Sequence, residues 1–456
     1  MENSSKRLIK NRYRVISNIF TTIFMIFVFA FIWNKDLNPI LYTTFHFKGS
    51  FLLICVYGFF MIMFVRTFGG FKINVYNRLN AVVSQIAALM CAAVVQFFFV
   101  FIFVGNEHII LTILLSFLKV YAVQLVFCLI YTPIIMTIYH KIFPPYNILL
   151  IYGNDRGETI HIERKNHNYV IKDIISCDSD IEKIDYFIDT NDLVLIDEVP
   201  EEKRAFILKL CFEKKKKVLF SPTISNIIIN SVQHTHILDT PLYVSQDMPF
   251  LLQEQVIKRC GDVLLSILGI IILSPIMILT SLAIFLYDRG PVFYRQTRYT
   301  LDGKIFKILK FRSMIPNAEE NGGARLALEN DIRITPVGRF IRACRIDEIP
   351  QLFNILIGDM SFVGPRPERP EIADEYTKET PEFAYRLRVK AGLTGFAQVY
   401  GKYNTNYIDK LKLDMIYIEK ASILLDIQLI LLTLKVVFIK DSTEGLEEGE
   451  ITANKR

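Results

Sequence analysis

The sequence predicts three structural parts: an α-helical membrane anchor, an α/β Rossmann-like domain, and an α+β domain that a re-entrant helix holds at one membrane face (a monotopic arrangement). Three observations support this division. The first third of the 456-residue chain is almost entirely apolar, strand-like and helix-like segments alternate after it, and a fifth apolar segment has basic residues on both sides. The anchor is placed at residues 1–142 and the Rossmann-like domain at 143–245. The third part consists of the re-entrant helix at 250–290 and the α+β domain at 291–456.

Composition narrows the classes of partner. The formal net charge of +6 suits a phosphate-bearing ligand or an anionic membrane surface, and no basic–aromatic signature of nucleic-acid binding occurs. Seven cysteines at wide spacing, with no C-x-x-C pair, indicate neither a disulfide framework nor a zinc site. We therefore expect no nucleic-acid partner, and a reducing compartment for the domains outside the membrane.

Four apolar runs form the predicted anchor, at residues 15–33, 51–65, 81–104 and 109–139. A bilayer core takes about 20 helical residues, so each run can cover it, although the second is short. Lys and Arg precede the first run and separate the second from the third, whereas the loop before the fourth has neither; both ends of the anchor are therefore expected in the cytoplasm. Lys119 either faces other helices or marks the outer end of a shorter span.

The middle segment alternates predicted strands, at residues 148–151, 192–198 and 216–221, with a helix at 201–214. This pattern favours a parallel α/β sheet. A dinucleotide site would need G-x-G-x-x-G after the first strand, and residues 153–157 do not supply it. We expect a Rossmann-like unit without a bound cofactor.

The fifth apolar segment, residues 263–287, is long enough to span a membrane. Lys258 and Arg259 precede it, and a strongly basic stretch follows at 289–312. Positive charge on both sides opposes crossing, so we expect the segment to return to the side from which it entered. The alternative is a kinked fifth span, which would place the C-terminal domain outside.

Ser274-Pro275 lies at the midpoint of that segment. Proline removes a backbone donor and bends a helix, and the serine hydroxyl can bond to the carbonyl that the proline leaves unpaired. The dipeptide thus favours a helix that dips into one leaflet. We assign to the re-entrant element Ser274, Pro275, Lys258, Arg259 and Asp262.

Two consecutive helices are predicted around an acid pair. Thr335 and Pro336 are suited to the N-cap and first position of one helix, and Asp347 to the cap of a second that ends near Gly358. A helix N-terminus favours anions, so Asp347 and Glu348 are expected to have low pKa values and stay ionised. The alternative is a simple cap followed by an exposed acid. Adjacent carboxylates can also divide a task, one attacking while the other holds Mg²⁺ together with substrate phosphate oxygens.

Basic side chains predict phosphate contacts nearby. Lys310 and Arg312 share one face of a predicted strand. Arg366 and Arg369 lie in a loop with three prolines, and a rigid loop favours bidentate binding of phosphate by arginine. The alternatives are a solvated strand edge and a surface turn.

Residues 250–440 resemble the bacterial sugar transferases, which move a phosphosugar from a UDP-sugar to polyprenol phosphate. The whole chain resembles their large form, which joins four spans and a Rossmann-like domain to a monotopic catalytic domain. One departure is Thr300, where that family usually has glycine, and this leaves a local turn in question. The resemblance rests on "KRCGDVLLS", "GPVFYRQTR", "KILKFRSM", "RIDEIPQLFNILIGDMSFVGPRPERP" and "GLTGFAQVYG".

The resemblance implies a role for each site residue. Asp347 would be the nucleophile that attacks the β-phosphorus and expels UMP, and polyprenol phosphate would then attack the intermediate; direct transfer with Asp347 as base stays open. Glu348, with Asp347, would hold Mg²⁺, and Asp414 would have a supporting role. The residues expected to bind the substrate or its phosphate groups are Lys310, Arg312, Arg342, Arg366 and Asp414.

The resemblance also implies a bacterial inner-membrane protein with a cytoplasmic catalytic domain, acting in exopolysaccharide, capsule or O-antigen assembly. UDP-sugar, polyprenol phosphate and membrane lipid are its expected partners, and a homo-oligomer stays an open alternative. Two other functions are weighed: a non-catalytic nucleotide sensor or scaffold, and a glycosyltransferase that uses the D-x-D at Asp178 and releases UDP.

Overall fold

The computed structural model describes residues 2–40, 44–73, 77–102, 110–153, 168–237, 239–244, 250–315, 331, 333–401 and 405–437. The chain divides into two compact units, Met1–Ser221 and Pro222–Arg456. Residues 222–244, which the sequence boundaries place with the middle domain, belong to the second unit.

The first unit begins with four long helices. Among the described residues these four, together with one helix of the second unit, are long and apolar enough to cross a membrane. The predicted helical anchor is thereby confirmed at the level of its elements. The helices are α1 (Glu2–Ile32), α2 (Phe47–Phe68), α3 (Arg78–Ile102) and α4 (Ile110–Ile142).

Buried amides connect these helices. Gln124 of α4 donates to the carbonyl of Met25 at 2.9 Å and exchanges hydrogen bonds with Tyr57 of α2. The Thr132 hydroxyl donates to Gln85 of α3 at 2.6 Å. Because lipid offers no hydrogen bonds, such polar groups must find partners inside the bundle.

Lys119 forms an ion pair with Asp36, with 3.1 Å between the charged atoms. Asp36 follows the C-terminal end of α1, and the Lys119 side chain is 63% exposed. This contact favours the interpretation that Lys119 marks the outer end of the fourth span.

The first unit ends with a four-stranded parallel sheet in the order β2-β1-β3-β4. The parallel α/β arrangement is confirmed, with β2 and α5 added to the predicted elements. The residues after Gly153 that would form the first turn, 154–157, lie outside the described residues. The elements are β1 (Tyr146–Tyr152), β2 (Tyr169–Ser176), α5 (Ile181–Thr190), β3 (Leu193–Asp197), α6 (Glu201–Glu213) and β4 (Lys217–Phe220).

Helices and short strands mix in the second unit, as an α+β domain predicts. A hairpin, β7 with β8, and a parallel pair, β9 with β10, carry most of its sheet structure. In chain order the elements are α7 (Ile224–Ser231), β5 (Gln233–Ile237), β6 (Thr240–Val244), α8 (Leu252–Asp288), β7 (Phe293–Tyr299), β8 (Ile305–Phe311), α9 (Pro336–Ala343), α10 (Gln351–Ile357), β9 (Ser361–Val363), α11 (Pro370–Glu379), β10 (Gly392–Thr394), α12 (Phe396–Tyr400), α13 (Tyr407–Glu419) and α14 (Ile423–Val437).

Helix α8 continues through Pro275 without a break in its assigned range. The carbonyl that a proline at this position leaves without its usual donor is that of Ile271, four residues earlier. The hydroxyl of Ser274 donates to this carbonyl at 2.8 Å, as the dipeptide predicts. The serine therefore satisfies the backbone group that an apolar environment would otherwise leave unpaired.

Both ends of α8 make polar contacts with the rest of the second unit. At the start, Lys258 pairs with Asp426, and Asp262 accepts a hydrogen bond from the amide of Phe362 at 3.0 Å. At the end, Asp288 pairs with Arg312. A single polar domain thus contacts the helix at its first turns and at its last residue.

The turn between β7 and β8 begins at Thr300, where glycine was expected. Its φ is −133°, so no left-handed conformation is required there; the neighbouring Asp302 and Gly303 take that role instead. The buried Thr300 hydroxyl donates to the carbonyl of Asp359 at 2.8 Å and accepts from the amide of Ala391 at 3.2 Å. One side chain therefore ties the β7–β8 turn to two other segments.

Replacing Thr300 by valine keeps the shape of the side chain but removes both bonds. Because a buried amide and carbonyl then lose their partner, we expect a loss of about 1–3 kcal/mol in the free energy of unfolding. Denaturant titration of the detergent-solubilised protein measures it. Thr297→Val, at an exposed position of β7, is the control, and equal stability of the two variants would contradict this role of Thr300.

Candidate active site

Helices α9 and α10 are joined by a tight turn that carries the acid pair. The hydroxyl of Thr335 accepts a hydrogen bond from the amide of Gly338 at 2.9 Å, so the predicted N-cap is confirmed. The chain reverses at Arg345, whose φ is +53°, and α10 ends at Gly358 with φ +107°. The turn is thus bounded by a helix on each side.

Asp347 does not cap α10, contrary to the sequence-based prediction. Asp347 and Glu348 lie in a 3₁₀ turn, Ile346–Glu348, and Pro350 occupies the cap position of α10. A set of i→i+3 hydrogen bonds starts at the left-handed Arg345, whose carbonyl accepts from the Glu348 amide at 3.2 Å. The two acids therefore precede the helix by one turn.

Apolar side chains seat this turn against α8. Ile346 and Ile349, on either side of the acid pair, pack in one cluster with Met277 and Ile284 of α8 and with Phe311 of β8. The position of the carboxylates is consequently set by the second half of the long apolar helix.

Glu348 is held between two cations. Its Oε1 atom lies 3.1 Å from the Lys310 Nζ and 2.7 Å from an Arg366 Nη, and its side chain is 13% exposed. Burial opposes its ionisation, but the charges of Arg366, Lys310 and Arg345 outweigh this effect and hold the pKa of Glu348 well below its usual range. The expectation of an ionised carboxylate is confirmed for Glu348.

Asp347 behaves differently, and the expectation of a low pKa is wrong for it. Burial, followed by the adjacent charge of Glu348, raises the pKa of Asp347 to about 6, against the opposing effects of Lys310, Arg342 and Arg366. Within the described part of the chain, its carboxylate accepts no hydrogen bond. One acid is therefore neutralised by cations, while the other keeps its lone pairs available to a ligand. Pairs with divergent pKa values mark acids that have different chemical roles.

Hydrogen bonds to its backbone carbonyls hold the loop that contains Arg366 in place. The carbonyls of residues 366–368 accept hydrogen bonds from an Arg386 Nη at 3.0 Å, from an Arg298 Nη at 3.2 Å and from the amide of Tyr299 at 3.3 Å. Three successive carbonyls with partners leave the loop little freedom, beyond what its prolines already remove. Arg366 is thus held in position to meet Glu348.

Asp414 lies away from the acid pair. Its Oδ2 accepts from the Arg386 Nε at 2.7 Å, and both side chains are almost fully buried. Since Arg386 also donates to the carbonyl of Arg366, Asp414 orients the residue that holds the loop. This contact gives a physical basis for a supporting role, whereas direct contact of Asp414 with phosphate stays a prediction.

The other predicted phosphate ligands separate in space. Lys310 reaches Glu348, whereas Arg312, just beyond the end of β8, pairs with Asp288 at the end of α8. Arg342 is near enough to Asp347 to lower its pKa. Lys310, Arg342 and Arg366 therefore surround the acid pair, and Arg312 ties the end of α8 to the hairpin. Their binding of phosphate stays a prediction.

Sequence reasoning did not identify Arg345, Arg386 or Arg298. Arg345 stands two residues before Asp347, so its position in the sequence was a usable signal. Arg386 and Arg298 lie on a distant 3₁₀ segment and on β7, and only the fold brings them to the carbonyls of the Arg366 loop. No local pattern identifies such long-range donors.

The acid pair fits a magnesium ion only with help from a ligand. Within the described residues no group of three or more His, Cys, Asp or Glu side chains converges on one point. The protein therefore offers the two carboxylates of Asp347 and Glu348. Mg²⁺ commonly takes one or two carboxylates and completes its shell with water and substrate phosphates, so this donor set is compatible with it.

The chain matches the bacterial sugar transferase family over residues 253–440. It is 41% identical over 184 residues to the UDP-N-acetylgalactosamine-undecaprenyl-phosphate N-acetylgalactosaminephosphotransferase of Aeromonas hydrophila, which covers 40% of this chain and 43% of that protein. It is 35% identical over 201 residues to the uncharacterized sugar transferase EpsL of Bacillus subtilis, with 44% of this chain and 95% of that protein covered. The chain belongs to the bacterial sugar transferase family.

A third member, the UDP-glucose:undecaprenyl-phosphate glucose-1-phosphate transferase of Klebsiella pneumoniae, is 37% identical over 230 residues, or 49% of each chain. The matched region spans less than half the length of the Aeromonas and Klebsiella proteins. In this bacterial sugar transferase, the family match contains all of α8 but its first residue, the acid pair and every cation described around it. The four-helix anchor and the parallel sheet precede it.

Replacing Asp414 by alanine tests the support of the Arg366 loop. The change removes the carboxylate that is hydrogen-bonded to the buried Arg386 and leaves only Glu368, at 3.9 Å, so we expect a loss of about 3 kcal/mol in the free energy of unfolding. Asp409→Ala, on the same helix and with a side chain that is 59% exposed, should stay within about 0.5 kcal/mol of the wild type. Chemical denaturation of both variants in the same detergent gives the comparison. A small effect at Asp414 would show that the pair does not hold the loop.

Proposed function

We propose that this bacterial sugar transferase moves a sugar 1-phosphate from a UDP-sugar to polyprenol (undecaprenyl) phosphate and releases UMP. The observation that carries this proposal is the acid pair: two adjacent carboxylates of different pKa, surrounded by fixed cations and seated on an apolar helix. The Aeromonas and Klebsiella relatives are sugar-phosphate transferases named for undecaprenyl phosphate, which supports the same reaction class.

In the proposed mechanism Asp347 is the nucleophile. Its oxygen attacks the β-phosphorus, the bond from that phosphorus to the oxygen bridging the α-phosphate breaks, and UMP leaves with the electron pair. An oxygen of polyprenol phosphate then attacks the same phosphorus and releases the Asp347 carboxylate. A pKa near 6 leaves this carboxylate ionised at neutral pH yet less stabilised than Glu348, as suits a nucleophile. Direct transfer, with Asp347 as a base, is the alternative.

The surrounding cations suit the charge that develops. Lys310 and Arg366 are held against Glu348 before a substrate arrives, so they can stabilise anionic phosphate oxygens without reorganisation, and Arg342 adds a positive charge near Asp347. Glu348, with Asp347, would hold Mg²⁺, which supplies further charge neutralisation when bound. The role of Glu348 is then to keep the cations and the metal ion in one place.

The contacts of α8 support a re-entrant helix. A helix that crossed the bilayer would have its ends on opposite sides, yet one polar domain pairs with Lys258 near the start and with Asp288 at the end. The face turned away from this domain is apolar and exposed, for example at Ile271 (63%) and Leu286 (69%). We propose that α8 enters and leaves the cytoplasmic leaflet of the bacterial inner membrane, where a soluble UDP-sugar and a lipid phosphate can meet.

The nucleophile is tested with Asp347→Asn. Because this change keeps the size of the side chain but removes the attacking carboxylate, we expect UMP release to fall by at least about 10³-fold. The assay combines a panel of UDP-sugars with undecaprenyl phosphate and Mg²⁺, and unfolding curves check the fold. Asp302→Asn, at an exposed turn, should keep wild-type activity.

The same assay separates the other functions. Full activity of Asp347→Asn would remove the nucleophile assignment. UDP as the wild-type product would favour a glycosyltransferase that uses Asp178, and nucleotide binding without turnover would favour a sensor. Isolation of a phosphosugar attached to Asp347 in the absence of acceptor would distinguish the covalent route from direct transfer.

The side of the membrane is tested with Cys344, which is exposed at the end of α9. In a variant with this single cysteine, a membrane-impermeant maleimide should label only permeabilised cells. A control with a single cysteine at Lys35, in the segment after α1, should be labelled in intact cells. Labelling of Cys344 in intact cells would place the acid pair outside and exclude a cytosolic donor.

A further inference from the structure

We propose that a cavity beneath the Arg366 loop binds the nucleoside part, uracil and ribose, of the nucleotide-sugar donor. This inference rests on the proposed function and adds a binding site to it. The cavity and the acid pair share Arg366, so the proposed site would extend the active site beyond the two carboxylates.

The cavity has a volume of about 260 Å³. Its walls come from the end of β7 and the following turn, the loop at 365–368, α11, and the segment at 383–391. Pockets for whole small molecules typically measure about 300–1,000 Å³, so this one has room for one moiety of a nucleotide sugar. Most of its wall is apolar and is formed by Pro365, Pro367, Phe383, Leu387 and Val389.

Arg366 connects the cavity to the acid pair. The residue lines the cavity, while its guanidinium reaches Glu348 at 2.7 Å. Arg386 lines the cavity as well and holds the carbonyl of Arg366. A moiety in the cavity is thus separated from the carboxylates by one arginine side chain, which is positioned to contact the diphosphate that joins the two places.

Two carboxylates and two arginines line the cavity, so its charged groups balance, and the carboxylates favour a ligand with hydrogen-bond donors. Glu368 and Asp374 contribute carboxylates, and the Tyr299 hydroxyl lies 3.2 Å from an Asp374 oxygen. Carboxylates repel phosphate but accept hydrogen bonds from ribose hydroxyls, a pairing that dinucleotide-binding proteins use, and from the N–H of a base. The phosphates are therefore expected at the Arg366 side of the cavity, toward the cations that surround the acid pair.

A hexose offers hydroxyl groups too, so the donor sugar has part of the same chemistry. The apolar walls favour the nucleoside, since proline and phenylalanine faces suit a flat base better than a ring with hydroxyls on its rim. Filling the cavity should weaken UMP binding if the nucleoside occupies it, and should change the preference among UDP-sugars if the hexose does.

The test fills the cavity by Ala384→Leu. Ala384 lines the cavity and its side chain is exposed, so the larger residue can be accommodated in the fold while it occludes the space. Wild type and variant are compared as full-length protein in nanodiscs, with UMP and ribose 5-phosphate as probes in calorimetric titration. Ala205→Leu, at an exposed position of α6, is the matched control.

We expect the wild type to bind UMP more tightly than ribose 5-phosphate, because only UMP places a base in the cavity. Ala384→Leu should weaken UMP binding by about tenfold or more and remove most of this preference, whereas Ala205→Leu should change neither. Asp374→Asn, which keeps the shape of the cavity, should also weaken UMP binding if Ala384→Leu fails to fold.

Unchanged UMP affinity in folded cavity variants would overturn the inference. A shift in the relative kcat/KM values among UDP-sugars, without a change in UMP affinity, would do the same, since it assigns the cavity to the hexose. The UMP-release assay decides the proposed function separately. Release by the wild type together with unaltered UMP binding by the variants would reject the nucleoside site and leave the reaction standing.

Discussion

The pairing of Glu348 with Lys310 and Arg366 is the interaction on which the site depends. A buried carboxylate is costly unless cations and hydrogen bonds compensate for its lost hydration. Here the two cations come from β8 and from a loop that follows β9, so the ion cluster joins three separate segments around one oxygen atom. The same cluster keeps Glu348 ionised, whereas burial, followed by the charge of Glu348, raises the pKa of Asp347. The two acids are chemically alike, so the difference between them comes from how the fold buries both and gives the close cations to Glu348.

A second ion pair, Asp414 with Arg386, holds one cation of this cluster in position. Arg366 would be a flexible side chain on a flexible loop if prolines alone restrained it. The Asp414–Arg386 pair anchors the loop through the carbonyl of Arg366, and Arg298 and the amide of Tyr299 hold the next two carbonyls. The buried Asp414–Arg386 pair thus fixes the position of the Arg366 guanidinium beside the acid pair. Cations held in position are more effective than mobile ones because they need no reorganisation.

Features with a local cause could be predicted from the sequence. The Thr335 cap, the glycine that ends α10 and the bond from Ser274 to Ile271 each depend on neighbours within a few residues. The four apolar helices and the parallel sheet followed from periodicity and hydrophobicity in the same way. The prediction that Asp347 caps α10 was wrong, because the left-handed Arg345 begins a 3₁₀ turn there. This turn packs against α8, a contact that local sequence does not reveal. The burial that contributes most to the raised pKa of Asp347, the partner of Arg312 and the part played by Arg386 depend on packing between segments distant in sequence, for which composition and spacing carry no signal.

The fold also sets the depth of the acid pair relative to α8. Arg259 near the start of α8 donates to the carbonyls of Ile355 and Leu356 at 2.7 and 2.8 Å, at the C-terminal end of α10. Met277 and Ile284, farther along α8, pack on the turn that precedes α10. The two helices therefore run antiparallel and are joined at both ends of α10. Because these contacts attach α10 and the turn before it directly to α8, the acid pair cannot move independently of the apolar helix. If α8 rests in one leaflet, its insertion fixes the level at which a lipid phosphate must present itself to Asp347.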